Sequence, residues 1–245
     1  MSSGSGEVVG APRHERALLD VARHRIALRA SLRPAIGGLD PSNVISKLLS
    51  LGRIHANSRQ SGVQRGVSYY TLTEKGVRHT GAPPSFAKPL SDQELRASLA
   101  TLCFAQLSGA TGRTVLTRAE LGRLFGVDAA QLPKPLARRR IVRVVSGARP
   151  RLYEVYAPSS TASIGAILQT LDGRIDRARE SRELCGLLDA KHLGFLVLLG
   201  KSQGQANDLR NIIASKPRFQ RVLFSVAPVA GPDTIADWLK ARGLS

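Results

Sequence analysis

The chain is 245 residues long and 42% hydrophobic, which is enough for two or three small domains with cores of their own. Its 36 lysines and arginines against 18 acids give a formal net charge of +18, so an anionic partner is expected. Nucleic acid is the first candidate, while an anionic membrane surface or ribosomal RNA would satisfy the same charge. No apolar run reaches the roughly 18 residues of a membrane-spanning helix, which excludes that class.

The charge is unevenly divided along the chain. Residues 1–156 carry 24 basic and 10 acidic residues, net +14, whereas residues 157–245 carry net +4. We therefore expect the anionic partner to bind the first two-thirds. The cysteines, Cys103 and Cys185, form no CxxC pair and have no histidine at ligand spacing. We predict no metal site and no cofactor, and a location in a reducing cytoplasm or nucleoid.

Residues 1–13 are small and polar and are predicted to be a flexible leader, not a signal peptide. A first domain is predicted over residues 14–80. It opens with an amphipathic helical segment over 15–32, ended by Pro34, which is expected to pack beneath the next helix. The arginines of this segment either touch a backbone that flanks a binding site or form a solvated face.

Residues 40–72 are predicted to form one helix followed by one long hairpin. Asp40 is expected to cap the helix, Pro41 to occupy its first position and Gly52 to end it. Apolar residues at three- and four-residue spacing are predicted to be buried: Val44, Ile45, Leu48, Leu49 and Leu51. The opposite face is short, polar and cationic, which suits the major groove, and consists of Ser42, Asn43, Ser46, Lys47 and Ser50.

Two extended runs, 53–58 and 67–72, are joined by a flexible loop that contains no acid. Such a loop can lie along a phosphate backbone, and it offers Arg59, Gln64 and Arg65. Arg53, at the start of the first extended run, is also assigned to DNA contacts. The stretches NVISKLLSLGRIHANS and VSYYTLTEKG resemble the recognition helix, wing and closing strand of winged helix-turn-helix domains. The resemblance implies a winged-helix fold for residues 14–80. Together with the positive charge it favours binding of double-stranded DNA, and the outward polar face of the helix assigns base contacts to Asn43, Ser46 and Lys47.

Residues 81–90 contain three prolines and are predicted to be a stiff, extended linker. A second winged-helix domain is predicted over residues 91–157, beginning with a helix over 91–107. The stretch TRAELGRLFGVDAAQL resembles a helix-turn-helix, with Thr117 and Glu120 as a capping box and Gly126 at the turn. Strands over 141–145 and 151–156 are predicted to form a second wing.

Pro133 and Pro135 interrupt the expected second reading helix, because proline in a helix interior costs about 3 kcal/mol. The nearby cations are therefore assigned to phosphate contacts instead of base reading. They are Lys134, Arg138, Arg139 and Arg140, with Arg149 and Arg151 at the tip of the hairpin. The alternative is that residues 138–140 only solvate a helix end.

Residues 163–245 are predicted to be a small α/β domain for dimerisation, partner docking or effector sensing. Residues 164–188 are predicted to be helical with paired charges, strands over 195–199 and 221–226 to flank a helix over 203–213, and residues 232–241 to form a closing helix. Residues 200–202, Gly-Lys-Ser, resemble the end of a P-loop, but Phe195 stands where that loop needs glycine. A looser anion site of Lys201, Ser202 and the amides around Gly204 stays open.

The predicted fold class is therefore α+β: two tandem winged-helix domains followed by a small α/β domain. The predicted function is that of a non-enzymatic, sequence-specific transcriptional regulator that binds double-stranded DNA. A homodimer or a partner protein is expected at the C-terminal domain, and no membrane. Three alternatives stay open: a plasmid-type replication initiator, which also has two winged helices; a nuclease or other DNA-processing enzyme; and an RNA-binding or structural assembly protein.

Overall fold

The structure, a computed structural model, describes residues 11–61, 64–132, 136, 139–146, 149–200 and 202–244, with the backbone alone described at 59–61, 64–66, 146 and 149. Over these residues the chain is a mixed α and β protein with two sheets, which confirms the predicted α+β class. The chain divides into two compact units: Met1–Leu90 with Ala236–Ser245, and Ser91–Ile235. Each unit is described by itself below.

Four α-helices and a 3₁₀ turn pack with a two-stranded hairpin in the described part of the first unit up to Leu90. Its elements up to Leu90 are α1 (Arg13–His24), α2 (Arg29–Ala35), α3 (Ser42–Ser50), β1 (Ile54–Ser61), β2 (Gln64–Leu72), α4 (Glu74–Thr80) and a 3₁₀ turn (Pro84–Ala87). Between α1 and α2, Ala27 pairs with Tyr70 of β2 through two backbone hydrogen bonds of 2.9 and 2.8 Å. The core between helices and hairpin includes Leu18, Leu32, Leu48, Ile54 and Leu72.

The two ends of α3 differ in how well the sequence predicted them. Gly52 follows the helix with φ +62°, and the amides of Gly52 and Arg53 bond the carbonyls of Leu49 and Leu48 at 2.9 and 3.0 Å. This confirms Gly52 as the stop, because glycine adopts this conformation without steric cost. The predicted start is shifted by one residue, since Pro41 takes the capping position before Ser42, while the Asp40 carboxylate still accepts hydrogen bonds from the side chain and backbone of Ser42.

The proline-rich segment after Gly81 is part of the first unit, which corrects the prediction of a stiff extended linker over 81–90. Its 3₁₀ turn brings Phe86 and Ala87 against the apolar core. The Arg25 guanidinium lies 5.2 Å from the centroid of the Phe86 ring, and its Nη2 donates to the Ser85 carbonyl at 3.2 Å. Packing of the half-buried Phe86 ring against the core outweighs the extended bias of the prolines.

The second unit is built on one five-stranded sheet. Its elements in chain order are α5 (Asp92–Leu102), a π-helical turn (Cys103–Leu107), β3 (Arg113–Leu116), α6 (Arg118–Phe125), β4 (Ile141–Ser146), β5 (Arg149–Tyr156), α7 (Ile164–Arg179), α8 (Arg182–Asp189), β6 (Leu193–Leu199), α9 (Gln203–Ser215), α10 (Pro217–Gln220) and β7 (Leu223–Pro228). The helix that follows, α11 (Ile235–Ala241), belongs to the first unit from Ala236 onward. The strand order is β3-β4-β5-β6-β7, antiparallel as far as β5 and parallel from β5 to β7.

Both faces of this sheet are covered by helices. One core combines residues of β4, β5 and β6 with α6, α7, α8 and α9, and the other joins alternate residues of the same strands to α5. All seven residues of β6 are buried, as expected for a parallel strand between two helical layers. The predicted hairpin, the predicted buried strand, and the capping box of Thr117 and Glu120 at the start of α6 are confirmed.

The second winged-helix domain and the α/β domain, predicted as separate units over 91–157 and 163–245, share this sheet. β5 pairs with β6 from Leu152 opposite Leu193 to Tyr156 opposite Val197. In addition, β3 pairs with β4, the first strand of its hairpin, whereas Ala27 of the first unit pairs with β2, the second strand. The second unit therefore does not repeat the strand arrangement of the first, and such long-range pairing leaves no local mark in the sequence.

The outer edge of β7 is partly blocked by a side chain. The Leu223 carbonyl faces Gly194 of β6, so the Val226 carbonyl, three residues on, faces the open edge. Arg210 of α9 donates to that carbonyl from Nε at 3.1 Å and from Nη2 at 2.6 Å. Pro228 ends the strand and has no N–H to offer. Together these residues disfavour pairing with another strand.

Candidate nucleic-acid interface

The exposed face of α3 has the composition that the sequence predicted. Asn43, Ser46, Lys47 and Ser50 are exposed and Ser42 is half-buried, while Ile45 and Leu48 are buried on the opposite side. The predicted apolar stripe is too wide, because Leu49 is 39% exposed and Val44 and Leu51 are only half-buried. At 100° per residue, Leu49 falls on the flank of so short a helix. The face is therefore polar and singly cationic, with an apolar border.

A charged cluster lies at the start of this face. Arg29, the first residue of α2, donates from Nη2 to Asp40 Oδ1 at 2.8 Å and to Ser42 Oγ at 2.5 Å. The hydrogen bonds from Arg29 and then Ser42 hold the pKa of Asp40 below its ordinary value. Sequence patterns could not select Arg29 from the arginines around it, because its proximity to Ser42 arises from tertiary packing.

The hairpin next to α3 is longer than predicted. β1 extends to Ser61 and β2 starts at Gln64, with an irregular register between Arg59 and Ser61, so strands replace most of the expected flexible loop over 59–66. Asn57 Nδ2 donates across the strands to Thr71 Oγ1 at 2.9 Å. The backbones of Arg59, Gln64 and Arg65 belong to this hairpin, but their side chains lie outside the described part of the structure.

Arg53 is engaged inside the unit, which corrects its assignment as a DNA contact. Its Nη1 donates to Glu15 Oε1 at 2.6 Å, and Glu15 Oε2 lies 2.6 Å from His79 Nε2. One carboxylate thus joins α1, the start of β1 and α4. Burial opposes ionisation of Glu15, but the hydrogen bonds from Arg53 and His79 outweigh it and hold the pKa below its ordinary value.

We expect Glu15→Gln to destabilise the first unit at neutral pH and to matter less in acid. Because the folded-state pKa of Glu15 is depressed, its stabilisation is present above the unfolded-state pKa, about 4.3, and is lost as pH falls through the folded-state value. Urea unfolding from pH 7 to pH 3 should therefore show the two midpoints converging. Glu180→Gln, at an exposed carboxylate, is the control. An unchanged gap between Glu15→Gln and wild type at pH 3 would contradict this role.

Two of the six cations predicted to contact phosphate in the second unit have partners within that unit. Arg139 Nε lies 3.6 Å from Glu154 Oε1, and Arg140 Nη2 donates to Ser98 Oγ at 2.6 Å. These partners make the two side chains less available to phosphate, and their assignment as DNA contacts stays a prediction. Arg151 is exposed, while the Arg149 side chain, Lys134 and Arg138 lie outside the described residues.

The possible anion site after β6 already has its own hydrogen bonds. Ser202 caps α9, its Oγ accepting from the Gln205 amide at 3.4 Å, and Gln205 Oε1 accepts from the Ser202 amide at 3.4 Å. This capping box uses amides that an anion would need. Gly204 is exposed in the first turn, and Lys201 is outside the described residues.

Within the described ranges, no group of three or more His, Cys, Asp or Glu side chains is placed to hold a metal ion. No described helix is long and apolar enough to cross a membrane. An open depression of about 560 Å³ lies beside α3, and its lining includes Leu49, Ile54 and His55 and, from α4, Glu74, Lys75 and Arg78. Lys75 and Arg78, which no sequence pattern singles out, extend the basic surface beyond α3 and are partly offset by Glu74.

Comparison of the chain with protein-family models, with curated proteins and with solved structures finds no match. Function is therefore inferred from the surface of the first unit alone.

Proposed function

We propose that the chain binds double-stranded DNA through its first unit, with α3 in the major groove and the β1–β2 hairpin beside it. The observation that carries the proposal is the exposed face of α3, where Asn43, Ser46, Lys47 and Ser50 stand together with no acid on the helix. The order of elements supports a winged-helix arrangement. Two helices separated by a one-residue strand pairing are followed by the third helix and the hairpin.

The dimensions and chemistry of α3 fit this role. Nine residues span roughly 13 Å, about the width of the major groove. Asn can bond adenine through two atoms, Lys can donate to the acceptors of guanine, and Ser can bond several base edges. Three of the four exposed side chains are short, so the helix backbone can approach the base pairs closely. These contacts would supply the sequence preference of a transcriptional regulator.

The charge of the first unit supports a nucleic-acid partner. Residues 11–90 hold 13 lysines and arginines against four acids, net +9. Glu15 and Asp40 are already paired with arginines, and Asp20 lies 3.7 Å from His24 Nε2. The surplus is therefore cationic, and neutralising DNA phosphates would release counterions and favour binding at low salt. Residues 91–235 have the same net charge of +9, from 21 basic and 12 acidic residues, but over a longer stretch of chain. We assign the second unit to self-association or to a partner protein.

Lys47→Ala and Asn43→Ala should reduce base preference, because each good base contact contributes about 1–3 kcal/mol of discrimination. We expect selection from a random duplex library to give a well-defined consensus sequence with the wild type and a less defined consensus sequence with either variant. Lys216→Ala, an exposed lysine of the second unit, changes the charge equally and should leave the site intact. A wild type that binds every duplex alike would refute base reading. A wild type that ignores duplexes at low salt would refute DNA binding.

Assays with the same purified protein distinguish DNA binding from the alternative functions that the sequence left open. A replication initiator would open the strands of an iterated site, a nuclease would nick plasmid in Mg²⁺ or Mn²⁺ until chelated, and an RNA-binding protein would prefer an RNA duplex. No contact in the described part of the structure favours any of these over duplex DNA binding.

A further inference from the structure

One acidic residue stands at the start of the candidate reading helix. Asp40 is the only acid in the sequence between Asp20 and Glu74. Its side chain is 62% exposed and lies immediately before Pro41, the residue that precedes α3. A carboxylate in this place repels the phosphates that the surrounding cations attract. Proposed DNA binding alone gives no reason for it.

Its surroundings suggest a reason. Asp40 and Ser42 share a single donor atom, Nη2 of Arg29, at 2.8 and 2.5 Å. The Arg29 side chain is 57% exposed, so its guanidinium is directed to the edge of the exposed α3 face without being buried there. Arg29 would be available to an approaching DNA backbone if Asp40 released it.

We propose that Arg29 is a phosphate contact of the α3 site and that Asp40 competes with DNA for its guanidinium. The inference rests on the proposed function and adds an autoinhibitory contact to it. Guanidinium groups bind carboxylates and phosphates with the same paired donors, so one can replace the other. An exposed ion pair of this kind adds little to stability, and its partners exchange readily.

The competition has a consequence for which sites are occupied. Separating Arg29 from Asp40, and bringing the freed carboxylate near phosphate, weakens binding to every duplex by the same factor. A protein with a surplus of cations would otherwise coat DNA, because non-specific sites vastly outnumber specific ones. With binding weakened everywhere, only sites where α3 adds base contacts stay occupied at a given protein concentration.

A double-mutant cycle on the full chain tests the proposal. The variants are Asp40→Asn, Arg29→Ala and the double substitution, with affinity for a mixed-sequence duplex measured across a range of salt concentrations. Asp40→Asn should raise affinity several-fold and steepen the log–log salt slope by up to about 0.9, the increment of one phosphate contact. Arg29→Ala should weaken binding and flatten the slope. In the Arg29→Ala background the gain from Asp40→Asn should largely disappear.

Asp208→Asn is the matched control, since Asp208 is exposed in the second unit and the substitution is the same. An equal gain from Asp208→Asn, or an Asp40→Asn gain that persists without Arg29, would show a general charge effect and overturn the inference. Weaker binding by Asp40→Asn at an unchanged melting temperature would also overturn it, because Asp40 would then assist binding. If the wild type binds duplexes and the cycle is additive, only this inference fails. If the wild type binds none, the proposed function fails and the inference falls with it.

Discussion

Replacing Glu154 with glutamine should destabilise the second unit by about 3–5 kcal/mol, the usual cost of breaking a buried ion pair from one side. Glu154 on β5 is 7% exposed and pairs with Nη1 of Arg174 from α7, whose side chain is 11% exposed. Burial raises the pKa of Glu154 and lowers that of Arg174, so each charge persists because of its partner. Glutamine would leave the Arg174 charge between α7 and the sheet without a counterion.

The measurement is the urea midpoint of the second unit, followed by circular dichroism. Asp176→Asn is the matched control, because Asp176 lies on the same helix as Arg174 and bonds Arg218 of α10 at 2.5 Å, but both side chains of that pair are about half exposed. The exposed pair of Asp176 and Arg218 should contribute less than about 1 kcal/mol to the free energy of unfolding. Equal effects of the two substitutions would show that the buried pair does not fasten α7 to the sheet. Glu154→Met with Arg174→Met should recover part of the loss, because no unpaired charge stays buried on α7.

Gly76→Ala should destabilise the first unit by about 3 kcal/mol, because the added methyl group overlaps backbone that cannot move alone. A Cβ at Gly76 would lie 2.1 Å from the Arg53 carbonyl oxygen and 3.2 Å from Leu72 Cδ2. That oxygen accepts the Thr73 amide at 3.1 Å, and the Thr73 hydroxyl caps α4. Alanine would therefore push α4 away from the hairpin and break the cap that starts it. Duplex binding should weaken with the fold.

Gly186→Ala supplies the opposite case. Gly186 lies inside α8, and a Cβ added there would meet no atom within 4 Å. Alanine at this position should stabilise the second unit by up to about 1 kcal/mol through better helix propensity. Calorimetry should resolve a lowered transition for Gly76→Ala and a slightly raised one for Gly186→Ala. If the Gly76→Ala protein had the same melting temperature as the wild type, α4 would not pack on Arg53.

Features set by local sequence were the ones that could be predicted. The outward polar set of α3 follows from helical periodicity, Gly52 from the conformation it must adopt, and the Thr117–Glu120 capping box from a four-residue pattern. The buried strand β6 follows from an unbroken apolar run. Each of these depends on neighbours within one or two turns of chain.

Features set by distant partners could not be predicted. The sequence alone predicts that Arg53 and Arg139 are available cations. In the folded structure Glu15 lies beside Arg53 and Glu154 lies beside Arg139. The acids Asp172 and Asp176 of α7, expected to pair along their own helix, instead bond Arg218 on α10. A charged residue has no periodicity that identifies its partner, so a count of cations overstates the surface available to DNA.

The pairing of β5 with β6 also constrains how the second unit is made. When β5 emerges during synthesis, its outer edge is unpaired until residues 193–199 follow. The finished edge at β7 has Arg210 across it, but nothing comparable protects β5 in the interval. Sheets whose neighbouring strands are distant in sequence fold slowly, and their unpaired strand edges stay exposed until the later strand has been made. Nascent chains halted before β6 should therefore be the species that aggregates and engages chaperones.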